Sequence, residues 1–139
     1  MTTARELMTA GAECVGENDV LVTAAKRMRD LDVGALPICG EDQRLKGMLT
    51  DRDIVVKCIA EGKDPRSVRA GDLGQGKPVT IGADDSAEET LRTMAKHQVR
   101  RLPVIDGHDL VGIVAQADVA RSLPEDVVGR VLAEVSAED

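Results

Sequence analysis

The sequence has no phenylalanine, tyrosine or tryptophan among its 139 residues. A hydrophobic core must therefore be built from Val, Leu, Ile, Met and Ala, and no aromatic ring can stack on a nucleotide base. Any purine that this chain binds would have to lie between aliphatic side chains. Hydrophobic residues make up 42% of the chain and charged residues 31%, which indicates a globular protein rather than a disordered one.

Long apolar runs are also missing. No stretch approaches the roughly 18 apolar residues that a membrane span needs, and the first residues lack the basic and apolar segments of a signal peptide. We therefore expect a cytoplasmic protein with no membrane partner. The net charge of −7 would repel a phosphate backbone, so we expect no nucleic-acid partner, although the pair Arg100 and Arg101 could bind one small anion.

Cysteine and histidine are too few and too scattered to predict a metal site. Cys14, Cys39 and Cys58 have no metal-ligand spacing, and only His97 and His108 could join them. The odd number of cysteines and the missing signal peptide favour reduced, buried thiols. A disulfide between Cys14 and Cys39 is the alternative, and it requires the two residues to lie on neighbouring strands.

An internal duplication covers most of the chain. Residues 36–38, Leu-Pro-Ile, match residues 102–104, Leu-Pro-Val, at an offset of 66. After a one-residue deletion in a turn, Asp53 matches Asp118 at an offset of 65. The sequence therefore predicts two related halves, bounded as residues 1–66 and 67–139.

Each half is predicted to form a β-α-β-β-α unit of the mixed α/β class. A short first strand leads to a helix with apolar residues at i, i+3, i+4 and i+7, and a hairpin and a second helix follow. The first helix acts as a crossover, which makes the first two strands parallel neighbours and would bring Cys14 near Cys39.

Three local features sharpen this prediction. Ser86 and Glu89 have the spacing of a capping box at a helix start. The closing helix of the first half is expected to place Ile54, Val55, Cys58 and Ile59 on one side. A further amphipathic helix is expected from Glu125 to Val135.

Thr50 and Asp53 form the most informative local pattern, a hydroxyl at a strand end and a carboxylate three residues later. An ionised carboxylate can accept hydrogen bonds from both hydroxyls of a ribose while the threonine fixes the ring. The simpler interpretation is helix capping, which needs no ligand and applies equally to Asp118.

The two matched motifs resemble those of the CBS (cystathionine-β-synthase) domain family, whose tandem pairs are called Bateman modules. The resemblance implies two repeats packed sheet to sheet about a pseudo-two-fold axis, with two clefts between them. It also implies frequent dimerisation and binding of adenosyl compounds such as AMP, ADP, ATP or S-adenosylmethionine. The residues that carry it are the stretches 33–38 with 47–53 and 99–104 with 112–118.

Carried over residue by residue, the resemblance assigns two unequal ligand sites. In the first, Thr50 and Asp53 would hold the ribose, and the rest of the ligand would touch Thr80, Ile81, Val99, Arg100 and Arg101. The second would join Asp118 to Val15, Val33, Gly34 and Ala35, with Ala115 in place of the threonine and Gly34-Ala35 in place of the arginine pair. We therefore expect the second site to be degenerate.

The resemblance implies a non-catalytic regulatory module that forms a homodimer and signals to a regulated protein, with no required cofactor. The alternative is an interaction or assembly scaffold, related to stress, that has lost its ligand. An enzyme is not expected, because the sequence has no Gly-rich phosphate loop, G-x-S-x-G motif or Cys–His pair suited to catalysis.

Overall fold

The computed structural model describes residues 1–11, 13–74 and 78–137 and separates them into two compact units. The first-repeat unit is Glu13–Pro78, and the second-repeat unit combines Met1–Ala12 with Val79–Asp139. No helix in the described ranges has the length and apolar character needed to cross a membrane. In chain order the elements are α1 (Ala4–Leu7), β1 (Thr9–Ala10), β2 (Val15–Gly16), α2 (Leu21–Leu31), β3 (Ala35–Cys39), β4 (Leu45–Thr50), α3 (Asp51–Asp53), a π-helix (Ile54–Ile59), α4 (Ala70–Leu73), β5 (Ile81–Gly82), α5 (Ala87–His97), β6 (Arg101–Asp106), β7 (Asp109–Ala115), α6 (Gln116–Arg121) and α7 (Glu125–Ala137).

Each repeat has its own sheet, and the predicted β-α-β-β-α order is confirmed. In the first-repeat unit the strand order is β2-β3-β4, with β2 parallel to β3 and β3 antiparallel to β4. In the second-repeat unit the order is β1-β7-β6-β5, with the same parallel and antiparallel pairs and β1 added antiparallel to β7.

The short helices α1 and α4 occupy equivalent places in the duplication, and each packs on the other repeat. The backbone N–H of Ala4 in α1 donates to the carbonyl of Asp85 at 2.9 Å. At the matching position, the N–H of Ala70 in α4 donates to the carbonyl of Asp19 at 2.8 Å. Both alanines are fully buried, so each short helix contributes to the core of the unit that it joins.

This exchange of lead-in segments changes the division of the chain that the sequence predicts. The boundaries 1–66 and 67–139 follow the duplicated sequence, but the described lead-in, residues 1–11, packs with the second repeat. Residues 67–74 likewise pack with the first repeat, because Ala70 and Leu73 are buried in its core. The compact units are thus not continuous sequence repeats.

Both cores are aliphatic, as the composition requires. The first-repeat core gathers side chains from the sheet, α2 and α4 around Leu21, Ile38 and Leu49. The second-repeat core does the same around Leu91, Leu102 and Val114, and it also includes Val131 of α7.

Two local predictions differ from the structure. Cys58 is fully buried, but Val55 is 57% exposed and Ile59 is 52% exposed, so the closing helix does not place its apolar residues on one side. The segment is a π-helix, whose wider turn breaks the 3.6-residue periodicity on which the prediction depended. At the start of α5, Ser86 accepts from the N–H of Glu89 at 3.1 Å, but the Glu89 carboxylate pairs with Arg92, which leaves half of the capping box.

Cys14 and Cys39 form a disulfide in the first-repeat unit, with their Cα atoms 5.8 Å apart. The parallel pairing of β2 with β3 brings the two residues together, as the crossover argument anticipated. The favoured interpretation, free thiols, therefore holds only for Cys58, whose thiol donates to the carbonyl of Lys63 at 3.4 Å.

Opening this disulfide is expected to destabilise the protein. The bond closes a loop between residues 25 positions apart, and removing such a cross-link frees the unfolded chain at a cost of about 3 kcal/mol. Urea unfolding of the wild-type chain with and without reductant should show this loss. The double variant Cys14→Ser/Cys39→Ser should match the reduced protein and should not respond to reductant; equal stability of all samples would contradict the prediction.

Candidate functional site

Thr50 and Asp53 form a complete capping box at the end of β4. The Thr50 hydroxyl accepts a hydrogen bond from the backbone N–H of Asp53 at 3.0 Å. One carboxylate oxygen of Asp53 accepts from the backbone N–H of Thr50, also at 3.0 Å. The two side chains that the sequence singles out are therefore held in fixed positions by the backbone between them.

Each of these groups keeps hydrogen-bonding capacity for a ligand. The Thr50 hydroxyl accepts one bond and can still donate its proton. The second carboxylate oxygen of Asp53 lies 3.3 Å from the Lys57 ammonium, and this carboxylate side chain is 21% exposed. An ionised carboxylate has about four lone-pair sites, so two contacts leave room for hydroxyl donors. The pair can bind a diol in the way that the sequence suggested.

Thr50, Asp53 and Lys57 together form what we call the half-site of the first repeat. Lys57 is the member of it that the sequence analysis did not identify. Its position four residues after Asp53 on one helical face is the signal that would have identified it. Its charge neutralises the carboxylate when no ligand is present.

The second-repeat unit carries the other residues assigned to the first ligand site. Thr80 and Arg100 are exposed, while Val99 and Arg101 are partly buried. No carboxylate in the described part of the chain pairs with either guanidinium. In a chain with a net charge of −7, Arg100 and Arg101 are thus two cations without an acidic partner among the described residues.

Ile81 differs from this description. Its side chain is 4% exposed and belongs to the second-repeat core, where β5 pairs with Val104 of β6. The Ile81 side chain is therefore not available for the aliphatic ligand contact that the sequence suggested, and only its backbone could serve a ligand.

The backbone at these positions is the same in both repeats. The carbonyl of Gly34 accepts from the N–H of Asp51 at 2.9 Å, and the carbonyl of Arg100 accepts from the N–H of Gln116 at 2.8 Å. Both repeats therefore keep this backbone hydrogen bond, although the side chains at these positions differ.

The residues assigned to the degenerate site differ from the first set at the cap. Ala115 precedes α6 without any side-chain cap, whereas Asp118 is paired with Arg121 much as Asp53 is paired with Lys57. Val15 is buried like Ile81, and Val33 and Ala35 are partly buried like Val99 and Arg101.

Gly34 stands where the second repeat has Arg100. A Cβ atom placed on Gly34 would lie 3.1 Å from a carboxylate oxygen of Asp51, so a negative charge lies next to this position. An acidic neighbour where the other repeat has a guanidinium disfavours a phosphate.

Two aliphatic sheets with exchanged lead-ins, and a hydroxyl–carboxylate pair at one strand-to-helix junction, define a duplicated module of the mixed α/β class. The CBS domain model matches residues 4–59 and 70–125, which is most of the chain. This protein belongs to the CBS domain family.

Comparison with individual proteins identifies relatives of high sequence identity that belong to the same family. The chain is 56% identical over 128 residues to Hypoxic response protein 1 of Mycobacterium tuberculosis, covering 92% of this chain and 90% of that protein. It is also similar to the crystal structure of Hypoxic Response Protein I with two coordinated zinc ions, at 56% identity and a TM-score of 0.82, over 88% of this chain and 100% of that one.

Two more distant structures share the fold and contain adenosyl compounds. CBSX2 in complex with AMP superimposes with a TM-score of 0.75 at 23% identity, covering 88% of this chain and 96% of that one. The CBS domain pair of MJ0100, in complex with 5'-methylthioadenosine and S-adenosyl-L-methionine, has a TM-score of 0.77 at 24% identity, covering 88% and 95%.

The zinc ions of the relative raise the question of whether this chain has a matching centre. Cys14 and Cys39 are consumed in the disulfide, and Cys58 is buried. Among the residues described, no group of three or more His, Cys, Asp or Glu side chains is placed to hold a metal ion. Structural and catalytic zinc centres use three or four protein ligands, so the side chains of the described residues do not fit such a centre within one chain.

The capping box leads to a prediction about stability, and the equivalent position of the second repeat provides the control. Thr50→Ala removes a cap and should lower the free energy of unfolding by about 1 kcal/mol. Ala115→Thr, at the equivalent position of the second repeat, should instead raise it by about 0.5 kcal/mol, because it supplies a missing cap. Chemical denaturation of both variants measures the two effects; a Thr50→Ala variant as stable as the wild type would show that the cap contributes nothing.

Proposed function

We propose that this protein is a non-catalytic regulatory module that binds one adenosyl ligand per chain and signals its presence to a partner protein. AMP, ADP, ATP and S-adenosylmethionine are the candidate ligands. Membership in the CBS domain family and the adenosyl compounds bound by distant relatives of the same fold support this proposal.

The observation that carries the proposal is the fixed geometry of Thr50 and Asp53. Their capping box holds a hydroxyl and a carboxylate in place before any ligand arrives, so binding a ribose orders little that is not already ordered. In this proposal Thr50 and Asp53 of the first-repeat unit hold the ribose. The family resemblance assigns the rest of the ligand to Thr80, Ile81, Val99, Arg100 and Arg101.

We propose that the equivalent set around Asp118 does not bind a nucleotide. The hydroxyl of Thr50 is replaced by Ala115, the arginine pair is replaced by Gly34 and Ala35, and the acidic Asp51 lies beside Gly34. Each change removes a contact or adds repulsion, and a lost charge-assisted hydrogen bond costs about 1.5–3 kcal/mol.

A ligand-free scaffold is the second candidate, and the capping box also favours it. Because Thr50 and Asp53 satisfy each other's backbone, and Lys57 neutralises the carboxylate, the half-site is complete without a ligand. This candidate predicts a melting temperature that no nucleotide changes, whereas ligand binding to the folded state must raise it.

Titration calorimetry with AMP, ATP and S-adenosylmethionine separates the two candidates. We expect saturable binding of at least one of them, weakened about tenfold or more by Thr50→Ala/Asp53→Ala and by Arg100→Ala/Arg101→Ala. Asp118→Asn is the matched control at the equivalent position of the other repeat, and it should leave the affinity unchanged. No binding and no shift in melting temperature at millimolar ligand would contradict the ligand-binding function and favour the ligand-free scaffold.

We also propose that the chain forms a homodimer, as the family resemblance implies. Sedimentation equilibrium should then give twice the chain mass at micromolar concentration. A single species of monomer mass across the concentration range would contradict this proposal.

A further inference from the structure

The disulfide of the first-repeat unit joins two cysteines that differ in their access to solvent. Cys39 is the last residue of β3, the central strand of its sheet, and only 7% of it is exposed. Cys14 precedes the edge strand β2 and is partly exposed. Because the rate of thiol–disulfide exchange depends on which sulfur atom an incoming thiolate can reach, the reaction is directed to Cys14.

A guanidinium group is fixed beside the more accessible cysteine. Arg27 of α2 is partly buried, and its side chain donates a hydrogen bond to the backbone carbonyl of Cys14. The attacking group in thiol–disulfide exchange is a thiolate, so negative charge approaches and remains on sulfur throughout the step. A cation held at Cys14 therefore favours attack at this residue.

An open pocket on α2 adjoins Cys14 and has room for a small molecule. Its volume is about 350 Å³, which falls within the range of roughly 300–1,000 Å³ that is usual for small-molecule sites. Arg27 links the pocket to Cys14 through its hydrogen bond, and Glu13 directly precedes Cys14. The pocket is lined by Glu13, Thr23, Lys26, Arg27, Asp30 and Leu31.

The charges of this pocket favour a thiol that carries carboxylate groups. Lys26 and Arg27 have no carboxylate partner in the part of the chain that the structure describes. Asp30 is already paired with Arg29 at 2.9 Å, so Glu13 is the remaining anion of the pocket. Glutathione has two carboxylates and one ammonium group, which match two cations and one carboxylate.

The second repeat has no counterpart of this disulfide. At the offset of 66, Cys14 matches Thr80 and Cys39 matches Ile105. Thr80 is one of the residues that the family resemblance assigns to the first ligand site, so Cys14 occupies the equivalent position beside the degenerate set. The first repeat therefore carries exchangeable sulfur where the second repeat has a hydroxyl.

We propose that Cys14 is a thiol-exchange site for small thiols that carry carboxylate groups, with Cys39 as the resolving thiol. The thiolate of the small molecule attacks the Cys14 sulfur and forms a new S–S bond. The bond between Cys14 and Cys39 breaks, and its electron pair leaves with Cys39 as a thiolate, which takes up a proton. Attack by the Cys39 thiolate on the mixed disulfide reverses the step and releases the small thiol. The proposal does not rest on nucleotide binding.

The wild-type chain treated with millimolar reduced glutathione shows which sulfur is attacked. The reaction is quenched with acid, and free thiols are labelled with N-ethylmaleimide in denaturant before peptide mass mapping. Chains that have exchanged once should carry glutathione on Cys14 and N-ethylmaleimide on Cys39. Cys58 is the internal control, and because it is buried it should carry N-ethylmaleimide and no glutathione.

Two variants that lose the disulfide equally give a matched comparison of the two thiols. In the Cys39→Ser chain, Cys14 should react with oxidised glutathione about tenfold or more faster than Cys39 reacts in the Cys14→Ser chain. The expected difference follows from the greater exposure of Cys14 and from its contact with Arg27. Circular dichroism should show that both chains are folded under the conditions of the measurement.

A charge substitution tests the selectivity of the pocket. Arg27→Gln in the Cys39→Ser chain should reduce the reaction rate with oxidised glutathione relative to the rate with the neutral disulfide of mercaptoethanol by about threefold. The ratio of the two rates cancels any change in the reactivity of the Cys14 thiol itself. Lys96→Gln, an exposed cation of α5 in the other unit, is the control and should leave this ratio unchanged.

Four results would overturn the proposal. The first is glutathione found mainly on Cys39, and the second is a wild-type disulfide that opens only after unfolding in denaturant. The third is an equal reaction rate for the thiols of the two single variants. The fourth is a rate ratio that Arg27→Gln does not change, which would show that the pocket does not select anionic thiols. Nucleotide binding is measured separately by calorimetry, and its failure would leave these results unchanged.

Discussion

The structure depends on the exchange of two short lead-in segments, because each repeat lacks part of its own core. Ala4 and Ala70 enter the core of the opposite repeat through matching backbone hydrogen bonds, and both are fully buried. The close approach needs glycine in the receiving strand. A Cβ atom on Gly47 would lie 2.8 Å from the carbonyl oxygen of Gly74, and one on Gly112 would lie 2.6 Å from that of Thr9. With no aromatic side chain to fill space, backbone packed against backbone completes each core.

The exchange also explains what the sequence could predict and what it could not. Periodicity and the duplication are local or regular signals, and they were sufficient for the β-α-β-β-α order and for the neighbouring positions of Cys14 and Cys39. The side on which residues 1–11 pack is decided by tertiary contacts at Ala83 and Asp85, which no local pattern encodes. The π-helix at Ile54–Ile59 was missed because its composition suits an ordinary helix equally well.

At the candidate site, the sequence predicted the functional groups of Thr50 and Asp53 better than it predicted the burial of the residues around them. The spacing of Thr50 and Asp53 was enough to predict both a capping role and a ligand role, and the structure shows the capping role in full. The burial of Ile81 could not be predicted, because an exposed and a buried isoleucine in a two-residue strand have the same sequence signature. The differences between the two repeats, by contrast, can be identified from the sequence alone. The duplication pairs Ala115 with Thr50 and Gly34 with Arg100, so each substitution can be compared with its counterpart.

The state of the capping box favours an anionic ligand over a neutral one. Because Asp53 already accepts from the Thr50 backbone and contacts Lys57, a ribose replaces water at a carboxylate that is partly satisfied, and each such hydrogen bond contributes a net free energy of only about 1 kcal/mol. Arg100 and Arg101 have no carboxylate partner in the described residues, so a charged group gains more from them than a hydroxyl gains from Asp53. If the proposed adenosyl ligand binds as the family resemblance implies, Thr50 and Asp53 would orient the ribose, and the arginine pair would supply more of the affinity. Free adenosine should consequently bind more weakly than any of its phosphorylated forms, and the guanidinium groups rather than the conserved backbone frame should determine which adenosyl compound is retained.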